Sequence, residues 1–276
     1  MAGEKKILRN LAFSLDGVPI STGSSKFEVK VSREKLPFQS YEAIGHLNAK
    51  GDFAASVALD GWGIDSEQKV LAALADQDED NSSFLLLTES DTRNSPHAAP
   101  GSAALAMTVR TFDVTLNREA GKLGNFSAGF ENSDGHRPYF AKTIYTNRGK
   151  VPAPLVGGDV ITPAPVTFPA LVAGFEGFFT VHVTRITGTG RVTVLCEVLS
   201  DTPGFLSPAV AYTFPLFVSA TPGGTDVLGP KSQTVYLDGD VTPIPSETQW
   251  TIRFTVTDAG TGGAVEIMAA GLIAPK

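Results

Sequence analysis

The sequence predicts a mainly β protein: a two-sheet antiparallel sandwich or barrel with one flanking helix, followed by a second β-sandwich domain. Three observations carry this. Apolar residues recur with a period of two in segment after segment, which marks strands with one buried and one wet face. Asp-Gly dipeptides stand at strand ends as turn signals, at Asp16-Gly17, Asp60-Gly61, Asp134-Gly135 and Asp238-Gly239. A single helical pattern, from about Asp65 to Asp76, breaks the alternation.

The strands follow in order. Lys26–Arg33 sets Phe27, Val29 and Val31 on one face and Glu28, Lys30 and Ser32 on the other. Asp52–Leu59 groups Phe53, Ala55, Val57 and Leu59, and Phe84–Leu87 is a short apolar strand. Thr108–Leu116 closes with Phe112, Val114 and Leu116 in phase, and Gly124–Phe130 groups Phe126, Ala128 and Phe130. In the second half, Gly177–Ile186 leads through the Gly188-Thr-Gly190 turn into Arg191–Leu199. Thr234–Leu237, Gln249–Thr257 and Ala264–Ile273 complete the set. The helix has Asp65 as N-cap with Gln68 three residues on, as in a capping box, and a narrow stripe of Val70, Leu71 and Leu74. So short a helix is marginal alone in water and must dock on the β core.

Composition places a boundary near residue 150. Residues 1–150 hold 17 of the 22 basic and 19 of the 29 acidic residues, so the remainder is sparse in charge and net acidic. Residues 151–165 contain four prolines and a Gly pair, which suit a semi-rigid linker and not a central strand. The expected organisation is therefore a first domain over 1–150, a linker over 151–165 and a second domain over 166–276. A formal charge of −7 argues against a surface that grips nucleic acid. Cys196 is the lone cysteine, which excludes an internal disulfide and a thiolate zinc site. The N-terminal residues lack the apolar core of a signal peptide, and no apolar run approaches the roughly 18–20 residues of a membrane helix. Synthesis and assembly in a cytoplasm is the expectation.

No pattern points to catalysis or to a cofactor. Asp76-Gln-Asp-Glu-Asp80 opens like a calcium loop, but Asn81 stands where glycine belongs and Leu87 where the bidentate Glu belongs. His46, His97, His136 and His182 show no metal-ligand spacing, and there is no Gly-x-Ser-x-Gly elbow. The loop from Thr88 to about Gly101, with Arg93 and His97, is longer than a compact sandwich needs, which suits contact with a neighbouring subunit.

With these elements in place, residues Leu11 to Tyr145 resemble the tail-tube proteins of long-tailed bacteriophages. The resemblance begins at Phe13-Ser-Leu-Asp-Gly-Val-Pro-Ile20 and continues through Phe27–Glu34 and Gly45. Gly51–Gly61 then leads into the helix, and a strand, a loop, a long strand and Phe126-Ser-Ala-Gly-Phe130 follow. The second domain resembles the β-sandwich appended to some of these proteins, through Val181–Val194 and Trp250–Val256. The resemblance implies two packed antiparallel sheets with one flanking helix, six subunits to a ring, and rings stacked into a hollow tube. DNA would pass through the lumen without sequence-specific binding. The other partners implied are tape-measure, baseplate and tail-terminator proteins, and the place is the virion tail. Candidate lumen residues are Glu28, Lys30, Glu42 and His46, and candidate contacts between subunits or rings are Asp76, Asp78, Glu79, Asp80, Arg93 and His97. The second domain would decorate the outside. A different virion β protein such as a capsid-decorating subunit, or a carbohydrate-binding sandwich using Tyr212, Phe214, Tyr236 and Trp250, are the alternatives.

Overall fold

A computed structural model describes residues 11–19, 24–38, 47–62, 82–88, 99–117, 125–132, 138–147, 154–219, 227–228 and 231–276. The expected helix over 65–76 lies outside them. The architecture is mainly β; the described residues form nineteen strands, and every register among them is antiparallel. Contacts divide the chain into two compact units. One joins 1–19, 85–106 and 139–276; the other joins 20–84 and 107–138. None of these cuts falls within 151–165.

In the first unit one sheet runs β17 (Ser232–Asp238), β12 (Phe175–Thr187), β19 (Ala264–Pro275), β8 (Tyr139–Thr146), β6 (Ala103–Asn117), β5 (Ser82–Thr88), β1 (Leu11–Leu15), β2 (Val18–Pro19). Strands β5 and β6 give residues to both units. A second sheet runs β10 (Val160–Ile161), β18 (Gln249–Asp258), β13 (Val192–Asp201), β15 (Phe217–Ser219), β16 (Val227–Leu228). Strand β11 (Val166–Thr167) also pairs with β18, and β14 (Ala209–Thr213) with β13.

Alternation explains the core between these sheets. Val192, Val194, Cys196 and Val198 of β13, with Trp250, Ile252, Phe254 and Val256 of β18, all turn inward. Phe179, Val181 and Val183 of β12 meet them, with Ile267 and Ala269 of β19. Trp250 stacks on Phe179 with ring centroids 5.6 Å apart, and Tyr145 lies 5.1 Å from Phe254. Each such aromatic pair adds about 0.5–1.5 kcal/mol beyond its burial.

Strands β12 and β19 are buried on both faces. Their other face carries Phe178, Met268 and Ala270, which pack with Leu85, Leu87, Ala104, Ala106, Tyr139 and Ala141. This is why β19 reads as a nearly continuous apolar run and not as an alternation. The sheet curls enough for the turn of the β1–β2 hairpin to return to β12. Asp16 and Gly17 have φ of 47° and 77°, and a Cβ on Gly17 would stand 2.5 Å from Lys231 Cβ. Only glycine meets both the left-handed backbone and the close approach.

Part of the stretch read as a linker is woven into this unit. Leu155 and Val156 form β9, paired with β19, and Val160 and Ile161 form β10, paired with β18, so residues 155–161 cross from one sheet to the other. The Thr251 hydroxyl donates to the Pro163 carbonyl. The prolines and the Gly pair bracket two-residue pairings, which composition alone cannot distinguish from a free linker.

The second unit is a sheet in the order β3 (Ser24–Phe38), β4 (Leu47–Trp62), β7 (Asn125–Asn132), β6. Pairing of β3 with β4 extends from Ser24↔Gly61 to Phe38↔Leu47. On its apolar side Ala128 and Phe130 are buried, and the Phe130 ring lies 6.1 Å from that of Phe84.

Candidate assembly surface

The wet face of the β3–β4–β7–β6 sheet is the described surface that holds sequence-predicted functional residues. Glu28 and Lys30, two apart on β3, are both exposed. Register builds the face outward from them. Glu28 stands opposite Ala58, then Gly129 and Asp113; Lys30 stands opposite Ser56, then Glu131 and Arg110. A third row joins Lys26, Asp60, Ser127 and Thr115. Ala58, Glu131 and Thr115 are exposed, and Ser56, Asp60 and Ser127 are half-buried. Among the described side chains of this face Glu28, Asp60 and Glu131 are acidic and Lys30 is basic, so it holds no basic stripe. Glu42 and His46 lie outside the described residues, as do all six expected contact residues, Asp76, Asp78, Glu79, Asp80, Arg93 and His97.

Strand β3 borders that face. Register shifts between Ser24 and Lys26 and between Arg33 and Lys35 leave an unbroken ladder from Lys26 to Arg33. Among the described residues β4 is its only partner strand.

Two further arrangements were visible in the sequence only as single residues. His182, on β12, is fully buried, with Ser14 Oγ 2.7 Å from Nδ1 and the Gly17 N–H donating to the same atom at 3.4 Å. An Nδ1 that accepts leaves the ring proton on Nε2 and makes the Ser14 hydroxyl the donor. Burial pushes the His182 pKa down to about 3. A Ser–His pair at zero exposure has no route to a substrate, and it serves to hold β1 to β12. The second arrangement is at Asp201, whose carboxylate accepts from Ser207 N–H, Thr202 N–H and the Thr202 hydroxyl. The Ser207 bond foremost, then those from Thr202, hold its pKa below the usual carboxylate value. Neither was predictable from spacing, because their partners are remote or depend on a loop's exact turn.

The aromatic platform of a carbohydrate-binding alternative is not assembled. Trp250 and Phe214 are core residues, Tyr212 is half-buried against Phe214, and only Tyr236, 44% exposed, offers much surface. Cys196 is a fully buried core thiol, its pKa pushed upward by burial and by Glu197. Among the described residues no group of His, Cys, Asp and Glu is placed to hold a metal ion.

No family model matches the chain, and no curated protein matches it. Among solved structures it is similar to a chain from the virion of a native gene transfer agent particle, at 12% identity and a TM-score of 0.36, over 49% of this chain and 98% of that one. It is similar to the Dit (gp 19.1) protein of SPP1, a hub of the adsorption apparatus in phages infecting Gram-positive hosts, at 11% identity and a TM-score of 0.32, over 98% and 100% of the two chains. A chain of the phage p2 baseplate in its activated conformation gives 11% identity and a TM-score of 0.31, over 94% and 97%. At these scores the likeness carries no functional argument.

Proposed function

We propose that this chain is a structural protein of a bacteriophage tail: a non-enzymatic subunit of a hollow tube of stacked rings, six copies to a ring, through which DNA passes. The observation that supports this best is the place of β3 at the border of its sheet, where among the described residues it pairs with β4 alone. Its fifteen residues span about 50 Å of extended chain. An edge of that length invites uncontrolled pairing in an isolated sandwich. A ring removes the hazard by giving each β3 the sheet of the next copy, and a closed barrel has no edges. The order of elements from Leu11 to Tyr145, which resembles the tail-tube proteins, supports the same reading.

The face bearing Glu28, Lys30, Asp60 and Glu131 would then line the lumen. Its charge suits a conduit, since a duplex binds tightly where several cations neutralise neighbouring phosphates, and here three carboxylates accompany the one ammonium group of Lys30. Stacking contacts fall to the acidic segment around Asp76–Asp80 and to the loop bearing Arg93 and His97, and the residues beyond the 151–165 stretch decorate the exterior. Tape-measure, baseplate and tail-terminator proteins would be its partners in the virion.

Negative-stain microscopy of the concentrated, purified chain tests this. Rings or tubes with a central hole are expected. A chain that stays monomeric at high concentration, and also beside its tail partners, would overturn it.

A further inference from the structure

Within the first unit, strand β19 stands inside the sheet that runs from β17 to β2, with β12 on one side and β8 on the other. Its pairing with β12 runs from Phe175↔Pro275 to Thr187↔Ala264, and its pairing with β8 from Met268↔Thr146 to Gly271↔Lys142. Strand β9 joins it too, through Val265↔Leu155. In chain order β19 follows all of these partners. The strands of this unit that precede residue 150 are β1, β2, most of β5, the start of β6, and β8. Along the sheet their link to β12 and β17 passes through β19.

The core on one face of this sheet has two sources. Leu85, Leu87, Tyr139 and three alanines come from before residue 150; Phe178, Met268 and Ala270 come from beyond 165. Tyr139 stacks on Phe178 with ring centroids 4.3 Å apart. Alanines are too small to build a core among themselves, so the burial of the early group depends on the later one. Polar ties follow the same division. Ser14 pairs with His182, and the Ser232 hydroxyl donates to Asp16. The Asn147 side chain brackets β19 through the Val265 carbonyl and the Ile267 N–H. The fit of β19 itself rests on a missing side chain. A Cβ on Gly271 would stand 2.6 Å from Phe179 Cδ1 on β12 and 2.9 Å from Ile144 Cδ1 on β8.

We propose that β19 is the closing strand of the subunit. Strands β1, β5 and β8 have no core of their own, and they gain one when β19 joins β8 to β12. The first-unit part of residues 1–150 therefore folds only together with the segment beyond 165, and a chain cut back to its tube-like portion cannot serve as a subunit. Closure is one cooperative step. Asn147 and Val265 meet across 118 positions of chain, and the entropy of closing so long a loop is lost before any single contact rewards it. The closing role of β19 is independent of whether copies form rings.

Native-state hydrogen exchange on the full chain and on Gly271→Ala tests this. The slowest amides of β5 and β8 are expected to open in one event with those of β12 and β19. Gly271→Ala crowds Phe179 and should speed all of them by the same factor, roughly tenfold. Amides of β5 and β8 that keep the native rate in the variant would overturn the proposal. A second measurement stands even if that variant does not fold. A protease site inserted between Gly157 and Gly158, at the exposed turn between β9 and β10, is cut in the folded full chain. The two fragments are expected to stay in one particle on gel filtration and to part only in denaturant. Separation in native buffer would overturn the proposal.

Discussion

Acidification should unlock the β1–β12 contact through His182. The imidazole is buried, neutral, and needed in that form because Nδ1 accepts from Ser14 and Gly17. Its pKa falls from 6.5 to about 3 on folding. The unfolded chain therefore binds a proton that the folded chain refuses, and stability is lost as pH falls from about 6.5 toward 3. At pH 4 the loss attributable to this one group is about 3 kcal/mol, rising to about 5 kcal/mol below pH 3. Carboxylates titrate over the lower part of the same range, so the assay is a comparison. His182→Asn keeps an acceptor near the Nδ1 position and removes the titrating ring. Urea unfolding of both proteins at pH 7, 5.5 and 4 should show the native chain losing about 3 kcal/mol more than the variant. Parallel losses, or a His182 ring that titrates near 6.5 in the folded protein by NMR, would refute the reasoning.

Three other outcomes follow from the same contacts. Gly17→Ala forces a side chain into a left-handed backbone against Lys231, and should cost about 1–3 kcal/mol, read as a fall of several degrees in Tm. Trp250 Nε1 has no hydrogen-bond partner among the described residues, so Trp250→Phe should cost less than about 1.5 kcal/mol, whereas Trp250→Ala should cost about 3–5 kcal/mol by chemical denaturation. The depressed Asp201 carboxyl keeps its bonds above its folded pKa and loses them only as pH falls through it. Hydrogen exchange at Thr202 and Ser207 should therefore stay slow below the usual carboxylate range and speed up at all pH values in Asp201→Ala.

Much of the strand plan was legible because alternation is written residue by residue. Phe27, Val29 and Val31 against Glu28 and Lys30 marked β3, and Trp250, Ile252, Phe254 and Val256 marked β18. Asp16-Gly17 announced a turn that the structure contains. What alternation cannot encode is which strands share a sheet. Tyr139–Thr146 has no clean period, because β8 buries residues on both faces where it pairs with β19. The Asn147 side chain prolongs that pairing, donating to the Val265 carbonyl and accepting from the Ile267 N–H, a role no local pattern reveals. Of the candidate surface, Glu28 and Lys30 were readable as the polar side of a strand. Their neighbours Asp60 and Glu131 were not, since only cross-strand register brings residues so far apart in the chain to one face.

The central claim is that the edge of β3 away from β4 is covered by a neighbouring copy, and hydrogen exchange tests it most directly. Every second amide between Lys26 and Arg33 points away from β4, because the N–H groups of a strand alternate in direction. In assembled rings or tubes those outward amides should exchange far more slowly than in the dissociated chain, while the amides bonded to β4 change little. Equal exchange of the outward amides in both states would contradict the account.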